Sequence, residues 1–237
     1  MSDDSSLAPV TWTIDDGVAV IRYDDGKANV VSHQAIELLT QALDDAEARA
    51  QAVCLVGRDG KLSAGFDLGV MTSGPEASAA LVHAGGQLLL RLYGHPQPTV
   101  VAVTGHALAM GALLVLACDT RIGSEGPYKI GLNEVAIGLR LPIFAVELAR
   151  DRLSKRAFTR ATMQAEVLDP RGAVDAGFLD RVVDPAECVD EALAEARRLS
   201  QLRSGAYGTT KRLARRATLE RIGASFAEDL ESLGIPG

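Results

Sequence analysis

Short apolar runs alternate with longer stretches of helical spacing, and this alternation limits the fold more than any other feature of the chain. Ala52-Val-Cys-Leu-Val56 and Thr99-Val-Val-Ala-Val103 are too short for stable helices, and each ends at a glycine-bearing turn. Both read as buried strands. Cys118-Asp-Thr-Arg-Ile-Gly123 reads as a third. A helix is predicted from His33 to Glu47, where Ala35, Ile36, Leu39, Leu43 and Ala46 recur at helical spacing behind a Ser32 N-cap. A second runs from about Glu76 to Tyr93 and is stopped by Pro96 and Pro98. Residues 10–14 and 17–23 read as two strands joined through Asp15-Asp16-Gly17. Strand, helix, strand, helix, strand is the order of a parallel α/β sheet with right-handed crossovers. After residue 134 the pattern turns helical, with candidates at 142–150, 153–162, 170–176, 185–200 and 204–232 and one short strand from Leu179 to Val183.

Charge and cysteine usage narrow the function classes. The net charge is −7, which repels phosphate backbones, so nucleic acid is not an expected partner. No apolar run reaches the length of a membrane span, so no membrane is expected either. Met1 to Ser6 is polar and acidic, which reads against a signal peptide. Cys54, Cys118 and Cys188 are far apart and odd in number, which fits buried, reduced thiols and a cytoplasmic location. No metal-ligand spacing occurs, and no metal is expected.

Two turns share one design. Val56-Gly-Arg-Asp-Gly-Lys-Leu-Ser-Ala-Gly65-Phe-Asp-Leu68 follows one buried strand, and Val103-Thr-Gly-His-Ala-Leu-Ala-Met110-Gly-Ala-Leu follows the next. Each places small residues at a strand end and then opens an apolar helix. Small residues let a ligand approach the backbone, and a helix start leaves N–H donors unpaired. Two such turns side by side can hold a developing oxyanion. Close-packed loops without a ligand remain an equal reading at this point.

Four segments in order carry a resemblance. They are Ser63-Ala-Gly-Phe-Asp-Leu68, the stretch from Gly105 to Ile122, Gly131-Leu-Asn-Glu134-Val-Ala-Ile-Gly-Leu139, and Leu168 to Val183. Together they resemble the enoyl-CoA hydratase/isomerase, or crotonase, family over nearly the whole chain. The resemblance implies an α/β fold: a crotonase-like spiral of ββα units with two near-perpendicular sheets and a C-terminal helical region. It implies a spiral core over 1–190 and a helical oligomerisation region over 191–237. It implies a homotrimer or dimer of trimers and an acyl-CoA thioester as substrate. No separate cofactor is expected, because coenzyme A is part of the substrate.

The resemblance also assigns residues. The first oxyanion donor falls on the backbone N–H of Phe66 and the second on that of Met110, followed by Gly111. A backbone donor tolerates a new side chain when φ and ψ are kept. Lys27, Ala28, Ala64, Gly65, Asp67, Leu68, Gly111 and Leu113 fall at substrate- or CoA-binding positions. Family hydratases place one glutamate three residues after the second donor, where this chain has Leu113. The second carboxylate position is Glu134. One carboxylate is enough to move a proton between C2 and C4 of an enoyl thioester, whereas water addition is easiest with two. The favoured reading is therefore an enoyl-CoA isomerase with Glu134 as base. A hydratase of low activity and a non-catalytic acyl-CoA-binding protein are the alternatives.

Other residues carry plainer readings beside functional ones. Glu134 could cap the helix after it. Asp67 reads as an N-cap. Asp119 reads as a cap or a partner of Arg121. His106 lies beside the second donor, and Glu147 could be a second acid. Lys211, in the last helix, could meet the nucleotide or be solvated. Leu213, Leu219, Ile222, Phe226 and Leu230 form an apolar stripe that calls for a covering partner or the chain's own core.

Overall fold

The computed structural model describes residues 8–232, so Met1 to Ser6 and the end of the 191–237 region lie outside it. The hairpin forms as expected: β1 (Val10–Asp15) and β2 (Val18–Tyr23) are antiparallel around Asp16-Gly17, both at positive φ. β3 (Val30–Val31) precedes α1 (His33–Arg49), whose Ser32 cap accepts from the Ala35 N–H. Next come β4 (Ala52–Gly57), β5 (Gly60–Ser63), β6 (Gly65–Phe66), α2 (Leu68–Met71) and α3 (Pro75–Tyr93). β7 (Thr99–Val103) leads into β8 (Gly105–Leu108), α4 (Met110–Ala117), β9 (Thr120–Ser124) and β10 (Ile130–Gly131). The rest is α5 (Ile143–Arg152), α6 (Lys155–Thr162), α7 (Pro170–Ala176), β11 (Arg181–Val183), α8 (Cys188–Ser200) and α9 (Ser204–Ser232).

The main sheet has the order β1-β2-β4-β7-β9-β11. All of its neighbours beyond the β1–β2 pair run parallel. One face carries the large core with α1, α3 and α4, and α8 covers the other through Cys188, Ala192, Ala196 and Leu199. Every residue of α4 is buried, as an all-apolar helix requires. The three cysteines are buried and free, and burial pushes Cys54 and Cys118 up to about 12.

The glycine turns hide strands that the sequence pattern did not reveal. β5, β8 and β10 form a second sheet, and β3 pairs with β6. The strands cross closely: a Cβ on Gly105 would fall 1.9 Å from the Gly60 carbonyl carbon.

In the C-terminal region, α8 and α9 pack on different parts of the chain. The boundary at 190/191 falls inside α8, which belongs to the sheet. α9 folds back over α3 and α5, so most of the apolar stripe packs on the chain's own core. Ile222 is buried, and Leu219 and Phe226 pack beside it. Leu213 remains 65% exposed.

Candidate active site

Parallel pairing builds the first turn. β6 lies beside β3 with Val30 opposite Gly65 and Val31 opposite Phe66. The Ala64 N–H donates to the carbonyl of half-buried Ala28 at 3.0 Å, which sets it and exposed Lys27 beside the turn. Gly65 has φ +103, and a Cβ there would meet that of Ala109 at 2.9 Å. Only glycine fits. Asp67 caps α2, accepting from the Gly69 N–H at 2.8 Å, as its plain reading held.

The second turn is strained. Ala109 sits at φ 50, ψ −123, a region that normally belongs to glycine and that costs a side chain about 1–3 kcal/mol. Its N–H donates to the Gly131 carbonyl at 3.0 Å. The first bond inside α4 runs from the Leu113 N–H to the Ala109 carbonyl at 3.1 Å. The amides of Met110, Gly111 and Ala112 precede it at the helix start, where N–H groups lack intrahelical partners.

The two turns abut. A Cβ on Gly65 would lie 3.6 Å from the Met110 amide nitrogen. The side chains of Phe66 and Met110 leave toward one notch on α3: a Cβ on Gly85 would fall 2.5 Å from the Phe66 ring and 3.3 Å from Met110 Cε. Gly111 is pressed against the first turn as well, since a Cβ there would be 2.5 Å from the Ser63 carbonyl oxygen.

β10 adds the carboxylate. Gly131 pairs with Leu108 on β8, and Glu134 follows three residues later. Its side chain makes no capping bond to the 3₁₀ turn Val135–Ile137, so the capping reading fails. Its Oε2 is buried without a hydrogen-bond partner. Burial pushes the carboxyl up from 4.5 to about 7, against a small opposing pull from its own backbone N–H. Leu113 is 1% exposed and belongs to the core, so no second carboxylate stands at the start of α4. Leu68, after the first turn, and Val135, Ile137 and Leu139, after Glu134, are exposed large apolar side chains.

The remaining candidates settle elsewhere. Asp119 does not pair with Arg121, which binds Asp180 at 2.5 Å instead. Asp119 takes Lys211 at 2.7 Å, Arg215 at 2.8 Å and the Thr99 N–H at 2.9 Å. Lys211 is buried in that pair, so it is neither solvated nor open to a nucleotide. Burial alone would raise the Asp119 carboxyl, but Lys211 and Arg215 hold it below the usual carboxylate range. Glu147 lies 3.5 Å from Arg150 on α5. His106 Nδ1 accepts from the Lys129 N–H at 3.0 Å, and burial, Lys61 and Lys129 all lower its pKa. A cleft of about 310 Å³ at the C-terminal ends of the main-sheet strands is lined by Arg22, Arg58 and Thr104, and not by Glu134, Phe66 or Met110. Among the described residues no cluster of side chains could hold a metal, and no helix is long and apolar enough to cross a membrane.

The two glycine turns adjoin, and half-buried Glu134 follows β10, which pairs with β8. Residues 13–232 match the family model described as enoyl-CoA hydratase/isomerase. The chain belongs to the enoyl-CoA hydratase/isomerase family. It is 34% identical over 203 residues to a putative enoyl-CoA hydratase of Thermus thermophilus, covering 83% of this chain and 79% of that one. It is 30% identical over 221 residues to mitochondrial enoyl-CoA delta isomerase 1 of Homo sapiens, covering 91% of this chain and 73% of that one. The crystal structure of an enoyl-CoA hydratase/isomerase family protein from Pseudomonas syringae superposes with a TM-score of 0.93 at 44% identity, covering 95% of this chain and 98% of the other. The crotonase-like fold is thereby shown. Sequence motifs did not single out Asn29 or give Ser63 a role, although both are buried polar residues at the first turn. An asparagine in the loop before a β-branched pair, suited to positive φ, was the available signal.

Proposed function

We propose that the protein shifts the double bond of an enoyl-CoA thioester, with Glu134 as the single base and the amides of Phe66 and Met110 as the oxyanion donors. Glu134 removes a C2 proton from a 3-enoyl thioester. The electron pair spreads into a dienolate whose charge rests on the thioester oxygen. The proton then returns from Glu134 to C4, leaving the 2-enoyl thioester. Atoms and charge balance without a further cofactor. One observation carries the reading: Glu134 is half-buried, its Oε2 is enclosed without a partner and its pKa is raised to about 7, while the second carboxylate position is a core leucine. A base of that pKa takes and returns a proton at working pH. The exposed apolar side chains that follow Phe66 and Glu134 suit an acyl chain, and Lys27 and Ala28, beside Ala64, suit the CoA side. The reading includes assembly as a homotrimer or dimer of trimers, with exposed Leu213 of α9 available to a neighbour.

Turnover of 2-enoyl and 3-enoyl CoA thioesters by the parent and by Glu134→Gln tests this. The substitution should cut double-bond migration by about 10²–10⁴ and leave acyl-CoA affinity nearly intact. Unchanged turnover would remove Glu134 from the mechanism. Tight acyl-CoA binding with no turnover in the parent would favour a binding protein, and predominant water addition would favour a hydratase.

A further inference from the structure

Ser63 stands between the two turns. Its Oγ donates to the Asn29 carbonyl at 2.6 Å and accepts from the Gly65 N–H at 3.2 Å. Its Cβ lies only 2.8 Å from where a Cβ on Gly111 would be. One side chain therefore holds the residue before Phe66 and bears on the residue after Met110. The β5–β8 pairing shifts register between Lys61 and Ser63, so that Ser63 sits opposite Ala107. Such a bulge re-aims the chain at the point where the turn begins.

The anchor behind Ser63 is rigid. Asn29 is fully buried at φ 52. Its Nδ2 donates to the Tyr23 carbonyl at 2.6 Å and to the Leu62 carbonyl at 3.1 Å. Its Oδ1 accepts from the Asp25 N–H at 2.9 Å, and its own N–H donates to Asp25 Oδ1 at 2.8 Å. The carbonyl that receives the Ser63 hydroxyl is thus tied to β2, β5 and the Asp25 loop. Close-packed glycines at 65 and 111 leave the turns no slack to absorb a shift of Ser63.

We infer that Ser63, braced by Asn29, is a positioning residue that sets the separation of the Phe66 and Met110 amides. The inference rests on the proposed oxyanion role of those amides. It assigns Ser63 no contact with substrate. A misplacement of about 1 Å in such a site costs on the order of 10² in rate, so the effect belongs in kcat rather than in affinity.

The test uses hexanoyl-CoA labelled with ¹³C at the thioester carbonyl, a saturated probe with no double bond to move. Difference infrared spectroscopy reads the carbonyl stretch when bound. Two aligned donors should displace it to lower wavenumber in the parent. Ser63→Ala should bind the probe with nearly parent affinity and lose most of that displacement. On a 3-enoyl thioester the same variant should lose roughly 10–10² in kcat with little change in KM. A lowered melting temperature with the full displacement retained would make Ser63 merely structural and overturn the inference. If Ser63→Ala does not fold, Ser63→Cys, close in size with a weaker donor, decides by the same comparison, and a displacement equal to the parent's overturns it. A parent that binds the probe with no displacement would remove the oxyanion reading and the role of Ser63 with it. A displaced carbonyl in a parent without turnover would leave the inference standing and sink the isomerase reading alone.

Discussion

The raised pKa of Glu134 predicts a stability signature that needs no substrate. The folded state holds the Glu134 proton up to about 7, while the unfolded chain releases it near 4.5. Between those values the folded state binds more protons than the unfolded state, so its stability falls as pH rises. At about 1.4 kcal/mol per pH unit, the whole interval amounts to about 3 kcal/mol. The loss begins above pH 4.5 and is nearly complete by about pH 8. Glu134→Gln cannot ionise and does not share it. Other titrating groups contribute equally to both proteins, so the difference between the two curves isolates Glu134. Urea unfolding at a series of pH values should therefore show the variant gaining about 3 kcal/mol on the parent between pH 4.5 and 8. For a chain of this length the melting temperature should gain about 6–12 °C. The same variant should be catalytically crippled. Parallel stability curves would refute the argument, because they would mean that the carboxyl is solvated, ionised and no better a base than any surface glutamate.

Two further substitutions probe the frame of the site. Gly65→Ala places a Cβ at φ +103 and 2.9 Å from that of Ala109, so it should cost about 1–3 kcal/mol and depress turnover; an unmoved melting temperature with full activity would contradict the close approach of the two turns. Asp119→Ala leaves Lys211 and Arg215 without their carboxylate partner and should cost about 3–5 kcal/mol in urea unfolding; an unchanged urea midpoint would show that α9 is held without this ion cluster.

Long apolar periodicity was legible, and backbone geometry was not. The hairpin, α1 with its Ser32 cap, α3, β4, β7 and the later helices all follow from patterns of five residues or more, where burial decides the structure. β3, β6 and β10 have two residues each, too few for any period, and they form only because a neighbouring strand presents its edge. The ion partners failed for a related reason. Asp119 and Arg121 are close in sequence, but Asp119 precedes β9 while Arg121 lies within it, and each finds a partner far along the chain. At the site, Glu134 and the two glycine turns could be read from motif position. Ser63 and Asn29 could not, because their roles arise from hydrogen bonds between segments about 34 residues apart.

The substitutions at 109, 110 and 113 are mutually consistent once the backbone is considered. A glycine-rich turn lets a ligand carbonyl reach an amide, and a side chain pointing into that space blocks the approach. Met110 does not point into that space, since its Cε packs on Gly85 beside the Phe66 ring. Gly85 has no Cβ, and that absence makes room for both side chains. The strain at Ala109 is then the cost of keeping the turn's shape with a side chain in place, and two bonds hold it: Ala109 N–H to the Gly131 carbonyl across to β10, and the helical bond from the Leu113 N–H to the Ala109 carbonyl. Leu113 completes an α4 that is apolar on every face and wholly enclosed. A carboxyl at 113 would be buried in that core, where, without a partner, either its charge or its unsatisfied polar atoms would cost free energy. Under the proposed function, the chain would keep two backbone donors whose side chains are packed away and give the proton work to Glu134, which follows the β10 strand paired with β8.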